Sequence, residues 1–478
     1  MDQIKASEVP IPATWPQDAQ NMVKFLIKRL ELLEEENREL RARLGQNSSN
    51  SSRPPSQDPP WKKRGRRRRP GGKKPGGQPG HRGKNRPFFP REEVSRFESV
   101  VPEICGGCGK HLGINSAVIS VHRHQQVELP PIKPIVTEFQ VHTLGCSDCG
   151  HSTQGSIPAE AGNRAAGPRL QSLMAFLTCR MRLSRRMAKE LLEVLLGPGG
   201  RFSVGCISEC EEDLAIALAG PYDEALAWLK HSPSVHADET GWRMLGDTAW
   251  LWVAATEMVS VFRIDSSRGH EAFLALLQGF EGILVSDRWS AYRKVPIALR
   301  QICWAHLKRD FQKLVDRKAG AEGQGKWALQ ELEVIFGLWH AFLDGEIPKP
   351  DLVREFMSIK ARFARMLKRG TQSSDLKART FSKNILKAWP ALWTFLHHDG
   401  RVEPTNNRAE RALRPAVIWR KLSFGVQSER GRLFVERMLT AIGSLRQQGR
   451  EVLDFLTHAL VSFRTGAVAP SLIPGPSG

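Results

Sequence analysis

The sequence lacks any long apolar run. No stretch approaches the roughly 18 consecutive apolar residues that a membrane-spanning helix requires. The first ten residues, MDQIKASEVP, also lack the apolar core of a secretory signal. These two absences predict a protein that has no membrane partner and stays in the cytoplasm.

Acidic residues are absent from residues 61–91, although this segment contains thirteen Lys and Arg and so contributes +13 of the net charge of +20. Clustered cations gain binding free energy by releasing the counterions condensed on a polyanion, which makes nucleic acid the leading partner. An anionic membrane surface and simple solubility are weaker interpretations. The predicted DNA-binding residues here are Arg66, Arg67, Arg68, Arg69, Lys73 and Lys74.

Apolar periodicity is also missing from residues 47–92, which are rich in Ser, Pro, Gly and Arg. Such a segment cannot bury enough apolar surface to offset the chain entropy that folding removes. We interpret it as a disordered basic linker, or arm, that follows DNA phosphates. The alternative is a solvated linker without a partner.

The length of 478 residues predicts roughly three folded units plus linkers, because a domain averages about 150 residues. Residues 17–46 carry a heptad repeat that predicts a short coiled coil and hence a homodimer. The alternative is an amphipathic helix packed on its own chain. The seam consists of Val23, Leu30, Asn37 and Leu44 at position a and of Leu26, Leu33 and Leu40 at position d.

Four of the eight cysteines form two CxxC pairs within residues 93–160. In a cytosolic chain this spacing favours zinc over disulfide bonds. Four thiolates complete a closed tetrahedral site, so the zinc would be structural. The alternating segments VISVHRHQQVEL and IVTEFQVHTLGC predict a small β-rich zinc ribbon around the pairs. The predicted ligands are Cys105, Cys108, Cys146 and Cys149, whereas Cys179, Cys206, Cys210 and Cys303 are isolated thiols.

Residues 165–230 have the pattern of amphipathic helices with a Gly/Pro break, after which Ser203 is a plausible N-cap of the next helix. This arrangement is compatible with a helix-turn-helix that reads a major groove. The second helix, however, is rich in acids that repel phosphate, so scaffold packing is an equal alternative. These acids are Glu209, Glu211, Glu212 and Asp213.

From residue 231 the pattern changes to strands. The runs SVHADETGW, DTAWLWVAAT and MVSVFRIDSS predict a three-stranded antiparallel meander. A helix, GHEAFLALLQGF, leads to a fourth strand in GILVSDRWSAY, which would pair with the first strand. This order predicts a ribonuclease H-like α/β catalytic domain whose first part spans residues 231–306.

Two aspartates fall on the strands that would be neighbours. Asp238 lies within the first strand, and Asp287 lies at the end of the fourth. Chemistry on a phosphodiester uses two hard cations roughly 3.5–4 Å apart, and hard cations prefer carboxylate oxygens. The two aspartates together predict a site for Mg²⁺ or Mn²⁺, although each alone is more often a turn or helix cap.

A third carboxylate is expected from a helix farther along the chain. In DGRVEPTNNRAERALRPAVIWRK, residues 405–407 have the character of caps, and Glu410 shares a helix face with Asn406 and Arg414. Pro415 is expected to end or kink this helix. The alternative for Glu410 is a surface ion pair with Arg414.

Several segments in one order carry a family resemblance: LGQNSSNSSRPPSQD, GGQPGHRG, the double CxxC module, HADETGW, SDRWSAY, ICWAHLKRDF and NNRAERALRP with the following RKLSFG. Together they resemble the large transposase subunit of bacterial insertion sequence 66 elements, a group of DDE transposases. The resemblance covers nearly the whole chain. It implies that Asp238, Asp287 and Glu410 form the catalytic, metal-binding triad and that the cysteine module is a DNA-binding zinc finger. It also implies two smaller accessory proteins and a nucleoid-associated location.

The remaining segments complete a multidomain α+β chain. Residues 307–400 predict a mostly helical, basic insertion, residues 401–465 the second part of the catalytic domain, and residues 466–478 a flexible tail. His306, at the end of a fifth strand, would contact a phosphate or make a structural hydrogen bond. The predicted phosphate contacts near the cleavage point are Arg414, Arg420 and Lys421.

The predicted reaction is cleavage at the element ends followed by strand transfer into target DNA, in a homodimer or a higher-order synaptic complex. One alternative is a ribonuclease H-like nuclease that cuts without joining, and the other is a zinc-ribbon DNA-binding regulator with an inert catalytic domain. Glu239, on the opposite strand face from Asp238, and Glu403, before the Glu410 helix, are the competing acids.

Overall fold

The computed structural model describes residues 12, 14–44, 46, 51, 86–113 and 116–475. The chain divides into two compact units, one of residues 64–136 and one of residues 1–63 with 137–478. Most of the predicted basic linker, with all six of its predicted DNA-binding residues, lies outside the described residues. In the part of the chain that is described, no helix is long and apolar enough to cross a membrane.

Helix α1 (Gln17–Leu44) occupies the heptad segment and confirms the predicted helix. The leucines at its d positions remain 40–49% exposed, so the apolar seam is accessible to a second helix. These leucines are Leu26, Leu33 and Leu40. The coiled coil itself stays a prediction.

The predicted β-rich module has less sheet than its alternation suggested. Residues 118–129 form no strand, and residues 135–146 contribute only β1 (Thr143–Gly145), which pairs with β2 (Ser152–Gln154). The prediction of strands throughout these segments is therefore wrong. The physical reason is the lack of burial. Ile119 is 97% exposed, so the alternating apolar residues bury no face of the segment, and no packing favours pairing with a second strand.

Residues 165–230 are helical, as the sequence predicted, and the structure divides them into four α-helices. The side chains of Ser184 and Ser203 accept backbone N–H bonds at the starts of the second and third, which confirms Ser203 as an N-cap. The helices are α2 (Pro168–Cys179), α3 (Arg185–Leu196), α4 (Val204–Ala217) and α5 (Ala219–Lys230).

Helix α4, the predicted recognition helix, is packed within its own chain. Ile207, Cys210 and Leu214 are fully buried. Its acids pair with arginines of other segments: Glu211 with Arg185, Glu212 with Arg430, and both Glu209 and Asp213 with Arg164. These contacts favour the scaffold alternative over major-groove recognition.

A five-stranded mixed sheet follows. Strands β3, β4 and β5 form an antiparallel meander, a helix crosses over, and β6 and β7 then pair parallel on the other side of β3, giving the order β5-β4-β3-β6-β7. The meander and the pairing of the first strand with the fourth agree with the prediction. The elements are β3 (Ser234–Met244), β4 (Asp247–Ala255), β5 (Ser260–Asp265), α6 (His270–Leu277), β6 (Ile283–Ser286) and β7 (Arg300–Ile302).

The rest of the described chain is helical. One core lies where the last three helices and α2, α4 and α5 pack on the sheet, and a second, aromatic core fills the helical insertion around Trp304, Phe363 and Trp393. The helices are α7 (Trp304–Asp316), α8 (Glu322–Leu343), α9 (Lys349–Gly370), α10 (Leu376–Lys387), α11 (Asn407–Ser423), α12 (Glu429–Gln447) and α13 (Val452–Thr465).

One local prediction in this half is wrong, and one of the two alternatives expected at Pro415, an end to the helix, is excluded. The fifth strand ends at Ile302, and α7 begins at Trp304, so His306 lies in the first turn of α7 and not on a strand. The backbone N–H of Trp304 donates to the Pro404 carbonyl at 2.9 Å. Pro415 does not end its helix, which continues to Ser423. Burial of neighbouring apolar side chains of α11 against the sheet offsets the roughly 3 kcal/mol that an interior proline costs.

Candidate active site

Two neighbouring strands place the aspartates side by side. Strand β3 pairs with β6 in parallel, and the register runs up to the partners His236 and Val285. Asp238 and Asp287 each lie two residues beyond this last pair, and the charge of Asp287 raises the pKa of Asp238, so the two carboxylates are near each other. The carboxyl end of a parallel strand pair is where such folds present reactive side chains to solvent. The sheet is therefore consistent with the prediction that the two aspartates lie close together.

Helix α11 brings the third acid to the same place. Glu410 lies in its first turn, and the buried Ala409 and Leu413 face the core. The helix is fixed by Asn406, which is fully buried and donates its Nδ2 to the Ala237 carbonyl at 2.8 Å. Because Ala237 precedes Asp238 in β3, this bond links the helix that carries Glu410 to the strand that carries Asp238.

Asn406 also ties in the segment that follows the fifth strand. Its backbone N–H donates to the Cys303 sulfur at 3.1 Å, while its own carbonyl accepts the Glu410 N–H at 3.2 Å. Burial raises the pKa of the Cys303 thiol to about 12, so this sulfur is a neutral acceptor. Sequence reasoning considered Asn406 only as a cap and a face neighbour of Glu410. The buried amide was not identifiable from spacing because its partners are distant in sequence.

The three carboxylates repel one another. Burial raises the pKa of Asp238 well above its ordinary value, and the charges of Glu239, Asp287 and Glu410 raise it further. Burial also raises the pKa of Asp287 and that of Glu410, and Asp287 adds to the increase at Glu410. A cluster of acids with raised pKa values in one place is typical of a functional site.

Each acid is turned toward local partners in this conformation. Asp238 accepts the Glu239 N–H at 3.0 Å, and Asp287 accepts the Trp289 N–H at 2.8 Å. Glu410 Oε1 lies 3.6 Å from Arg309 Nη2. Among the described residues, no three His, Cys, Asp or Glu side chains have the arrangement of a metal site.

His306 stands beside this cluster. Its Nδ1 lies 3.6 Å from Glu410 Oε1 and has no hydrogen-bond partner within the described structure. Burial lowers the pKa of His306 to about 4, so the ring is neutral at neutral pH and does not form an ion pair with Glu410. A neutral imidazole with an unpartnered nitrogen can accept a proton or a hydrogen bond.

The two competing acids are engaged elsewhere. Glu239 forms a buried ion pair with Arg268 and accepts the hydroxyl hydrogen of Tyr292. Glu403 accepts a bond from Arg408 at 2.8 Å. Both therefore have structural partners.

The first cysteine pair forms a tight turn within the smaller unit. The N–H of Cys105 donates to the Lys110 carbonyl, and the N–H of Gly109, with φ of 70°, returns to the Cys105 carbonyl, both at 2.9 Å. Backbone N–H groups of Cys108 and Gly107 hold the pKa of the Cys105 thiol below its usual value. A thiolate stabilised in this way is a good metal ligand.

The second pair, in the larger unit, repeats the pattern. The N–H of Cys146 donates to the His151 carbonyl, and Gly150, with φ of 71°, donates back to Cys146, again at 2.9 Å. Backbone N–H groups of Cys149 and Asp148 lower the pKa of the Cys146 thiol. Each CxxC pair thus lies in a tight turn in which backbone N–H groups lower the pKa of one thiol.

Comparison with known proteins decides the family. Residues 165–432, more than half of the chain, match the family described as "Transposase IS66 family". The chain belongs to the IS66 family of transposases. Residues 102–150, which contain both CxxC pairs, match the zinc-finger binding domain of transposase IS66. Residues 7–87 match a family of unknown function, DUF6444. The family and the zinc finger support a transposase that binds DNA.

Similar chains occur in Sinorhizobium fredii. The uncharacterised protein y4qI is 26% identical over 411 residues, which cover 78% of this chain and 73% of the relative. The uncharacterised protein y4hP is 24% identical over 395 residues, covering 74% of this chain and 70% of the relative. The similarity to these relatives therefore extends well beyond the sheet and its acids.

The predicted phosphate contacts of this transposase differ in availability. Arg414 and Lys421 are exposed. Arg420 is instead bound to β3, where it donates to the carbonyl of Gly241 and, at 3.2 Å, to the hydroxyl of Thr240. Arg420 therefore fixes the end of α11 in this structure. Arg309, which sequence reasoning did not identify, is the arginine that faces Glu410.

Proposed function

We propose that this transposase cleaves DNA strands at the ends of an insertion sequence and joins them to target DNA, with Asp238, Asp287 and Glu410 as ligands of Mg²⁺ or Mn²⁺. The observation that carries the proposal is the electrostatic coupling of three acids from three separate segments: Asp287 and Glu410 both raise the pKa of Asp238. Arg309 near Glu410 and the charges of Arg268 and Arg288 on Asp287 offset only part of this effect, because burial still raises the pKa of all three acids, as is typical of a functional site.

The strand order supports a ribonuclease H-like catalytic domain. Three antiparallel strands, a crossover helix and two parallel strands on the far side of β3 form one sheet. We assign its two parts to residues 231–306 and 401–465, with residues 307–400 as the helical insertion. In this arrangement the first strand, the end of the fourth strand and a late helix supply the three acids.

The donor set fits a hard divalent cation. The three carboxylates offer oxygen ligands, and their mutual repulsion is relieved by positive charge. When bound, the metal pair would activate the attacking oxygen and stabilise the leaving oxygen of an in-line displacement.

The chain's own groups would orient the reactants. Arg309, close to Glu410, brings a positive charge to the side where a phosphate would lie. The neutral ring of His306, with its unpartnered Nδ1, can accept a hydrogen bond from the attacking water and so orient it. After hydrolysis exposes a 3′-hydroxyl, that hydroxyl attacks the target phosphodiester in the same site, and neither step requires a covalent enzyme intermediate.

The proposal is tested by incubating the full-length protein with labelled element ends, supercoiled target DNA and Mg²⁺. We expect both cleaved ends and products joined to the target. Cleavage without joined product would favour the nuclease alternative. DNA binding with no metal-dependent product at any concentration would favour the inert regulator.

Metal binding should also raise the free energy of unfolding. Because folding raises the pKa of Asp238, its ionised form destabilises the native state at neutral pH, and this cost disappears as the pH falls. We expect Asp238→Asn to melt at a higher temperature than wild type in EDTA. Wild type should gain stability with Mg²⁺ or Mn²⁺, by about 2.7 kcal/mol at 100 times the dissociation constant.

The control in this melting experiment is the comparison of wild type with Asp238→Asn, each with and without metal. The gain on adding metal should be largely lost in Asp238→Asn. Equal gains in both proteins would show that the metal binds elsewhere, and a lower melting temperature for Asp238→Asn in EDTA would contradict the repulsion.

We further propose that Cys105, Cys108, Cys146 and Cys149 bind one structural Zn²⁺. The lowered pKa values of Cys105 and Cys146 and the matched zinc-finger domain support this assignment. Purified protein is expected to contain about one zinc ion per chain, and Cys146→Ser should lose it. Cys206→Ser, at a thiol outside both pairs, is the matched control and should retain zinc. Full zinc occupancy in Cys146→Ser would contradict the assignment.

Three further proposals concern partners. The basic arm, with Arg66 to Arg69, Lys73 and Lys74, would bind DNA phosphates along the element end and the target. The exposed seam of α1 would pair two copies into a dimer or larger synaptic complex. Accessory proteins of the same element would act with this chain.

A further inference from the structure

Two large apolar residues occupy backbone positions that normally take glycine or asparagine. The hairpin between β3 and β4 has a two-residue loop, Leu245 and Gly246, with φ of 54° and 88°. Positive φ at both positions is the pattern of a type I′ turn, whose first residue is usually Asn, Asp or Gly. Helix α11 ends at Phe424 with φ of 58° and ψ of 17°, the left-handed cap where glycine is preferred.

The two loops are held against each other. The N–H of Leu245 donates to the Val426 carbonyl at 2.9 Å, and the N–H of Val426 donates to the Arg243 carbonyl at 3.0 Å. A side chain at Gly425 would begin 2.2 Å from that Arg243 carbonyl, so the approach of the two loops requires glycine there. Strained residues persist when the surrounding structure over-determines them, as these bonds do.

The strained side chains point away from the core. Leu245 is 62% exposed and Phe424 is 74% exposed. Glycine at either position would relieve the strain and remove exposed apolar surface at the same time. Core packing therefore does not explain these residues, whereas contact with a partner does.

Charge and position favour DNA as that partner. Residues 240–248 and 418–427 contain three cations, Arg243, Arg420 and Lys421, against one acid, Asp247. Arg243 and Lys421 are exposed. An apolar pair beside exposed cations suits duplex DNA, which offers base pairs that can be unstacked and flanking phosphates.

Helix α11 and strand β3 run side by side from the acids to this apolar pair. Contacts occur in order along both elements: Asn406 with Ala237, then Arg420 with Gly241. Phe424, the cap of α11, lies fourteen positions after Glu410, which is about 21 Å at roughly 1.5 Å per residue. That length corresponds to about six base pairs at 3.4 Å each.

We propose that Leu245 and Phe424 form an apolar wedge that enters duplex DNA between base pairs about six base pairs from the phosphodiester at the acids. The proposal rests on the proposed function, because the acids fix where the DNA begins. Insertion of Leu or Phe at a base step partly unstacks the bases and kinks the duplex. The kink would turn the flanking DNA while Lys421 and Arg243 contact its phosphates.

The test uses full-length protein and a duplex of the element's own terminal sequence, read from the DNA beside the coding region. The fluorescent base 2-aminopurine replaces single bases from two to twelve pairs from the cleavage point, with Ca²⁺ in place of Mg²⁺ to hold the complex before cleavage. Unstacking increases 2-aminopurine fluorescence. We expect a localised increase near six base pairs with wild type, and its loss with Phe424→Gly or Leu245→Gly.

Stability separates this role from a structural one. Glycine relieves positive-φ strain, so both variants should melt at or above the wild-type temperature. Met357→Ala removes an equally exposed apolar side chain, 68% exposed on α9, and should keep the fluorescence signal. A glycine variant that melts below the wild-type temperature would contradict the backbone strain. In that case Phe424→Asn, which also suits the left-handed cap, is measured in the same fluorescence assay, and a retained signal would exclude the contact between Phe424 and DNA.

Three outcomes would overturn the wedge. Wild type that binds and cleaves DNA without a localised signal excludes the wedge and leaves the proposed function intact. Wild type that neither binds nor cleaves the DNA excludes both. Glycine variants that keep the signal but lose self-association would show that a second copy, and not DNA, covers this surface.

Discussion

Glu410→Gln is expected to lower the rate of DNA strand cleavage by at least about a thousandfold, the scale of loss when one member of a catalytic group is removed. Glutamine keeps the side chain's size but has no negative charge to hold a cation. Since burial raises the pKa of Glu410, removal of its charge should not destabilise the fold. The measurement is single-turnover cleavage of a labelled element end in Mg²⁺, with the melting temperature recorded alongside.

The matched control is Glu403→Gln. Glu403 lies just before the same helix and pairs with Arg408, so its loss should change cleavage little. If Glu410→Gln cleaves at the wild-type rate, or if Glu403→Gln is as inactive as Glu410→Gln, the assignment of the third acid is wrong.

Asn406→Ala is expected to reduce cleavage by about a hundredfold, because misplacement of a catalytic group by about 1 Å costs that much. The amide of Asn406 is the link between Ala237, next to Asp238, and the start of the helix that carries Glu410. Its loss also leaves the buried Ala237 carbonyl unpaired, which should destabilise folding by about 1–3 kcal/mol. Cleavage rate, DNA affinity and denaturant unfolding are the three measurements.

The three measurements distinguish positioning from mere stability. A positioning role predicts that the cleavage rate falls at saturating DNA while the affinity for DNA stays close to wild type. Asn407→Ala, at the exposed neighbouring residue, is the control and should retain both activity and stability. Normal cleavage by folded Asn406→Ala would show that the amide only stabilises the fold.

Much of the sheet could be predicted from the sequence because its signals are local. Alternating apolar residues identify β3 to β5, and the apolar run before Asp287 identifies β6. A strand followed by a crossover helix returns parallel to its own sheet, which placed Asp238 beside Asp287. Glu410 was more difficult to predict, because the spacing of residues in a helix does not indicate which side chain faces a sheet. The prediction of Glu410 therefore depended on the family resemblance.

The parts that could not be predicted depend on distant contacts. Asn406 bonds to a carbonyl 169 residues away and to a sulfur 103 residues away. Pro415 signals a helix end locally, yet packing on the sheet outweighs it. The segment around residue 119 alternates like a strand, but alternation predicts a strand only where one face is buried, and there it is exposed. In each case tertiary structure overrides a local preference.

The central claim is that Asp238, Asp287 and Glu410 share one divalent-metal site. Iron-mediated cleavage of the protein tests it directly: Fe²⁺ replaces Mg²⁺, and ascorbate with peroxide then generates hydroxyl radicals that cut the backbone beside the bound ion. The account predicts cuts near residues 238, 287 and 410 together, suppressed by excess Mg²⁺ and lost in Asp238→Asn. Cuts elsewhere, or cuts that persist unchanged in that variant, would contradict it.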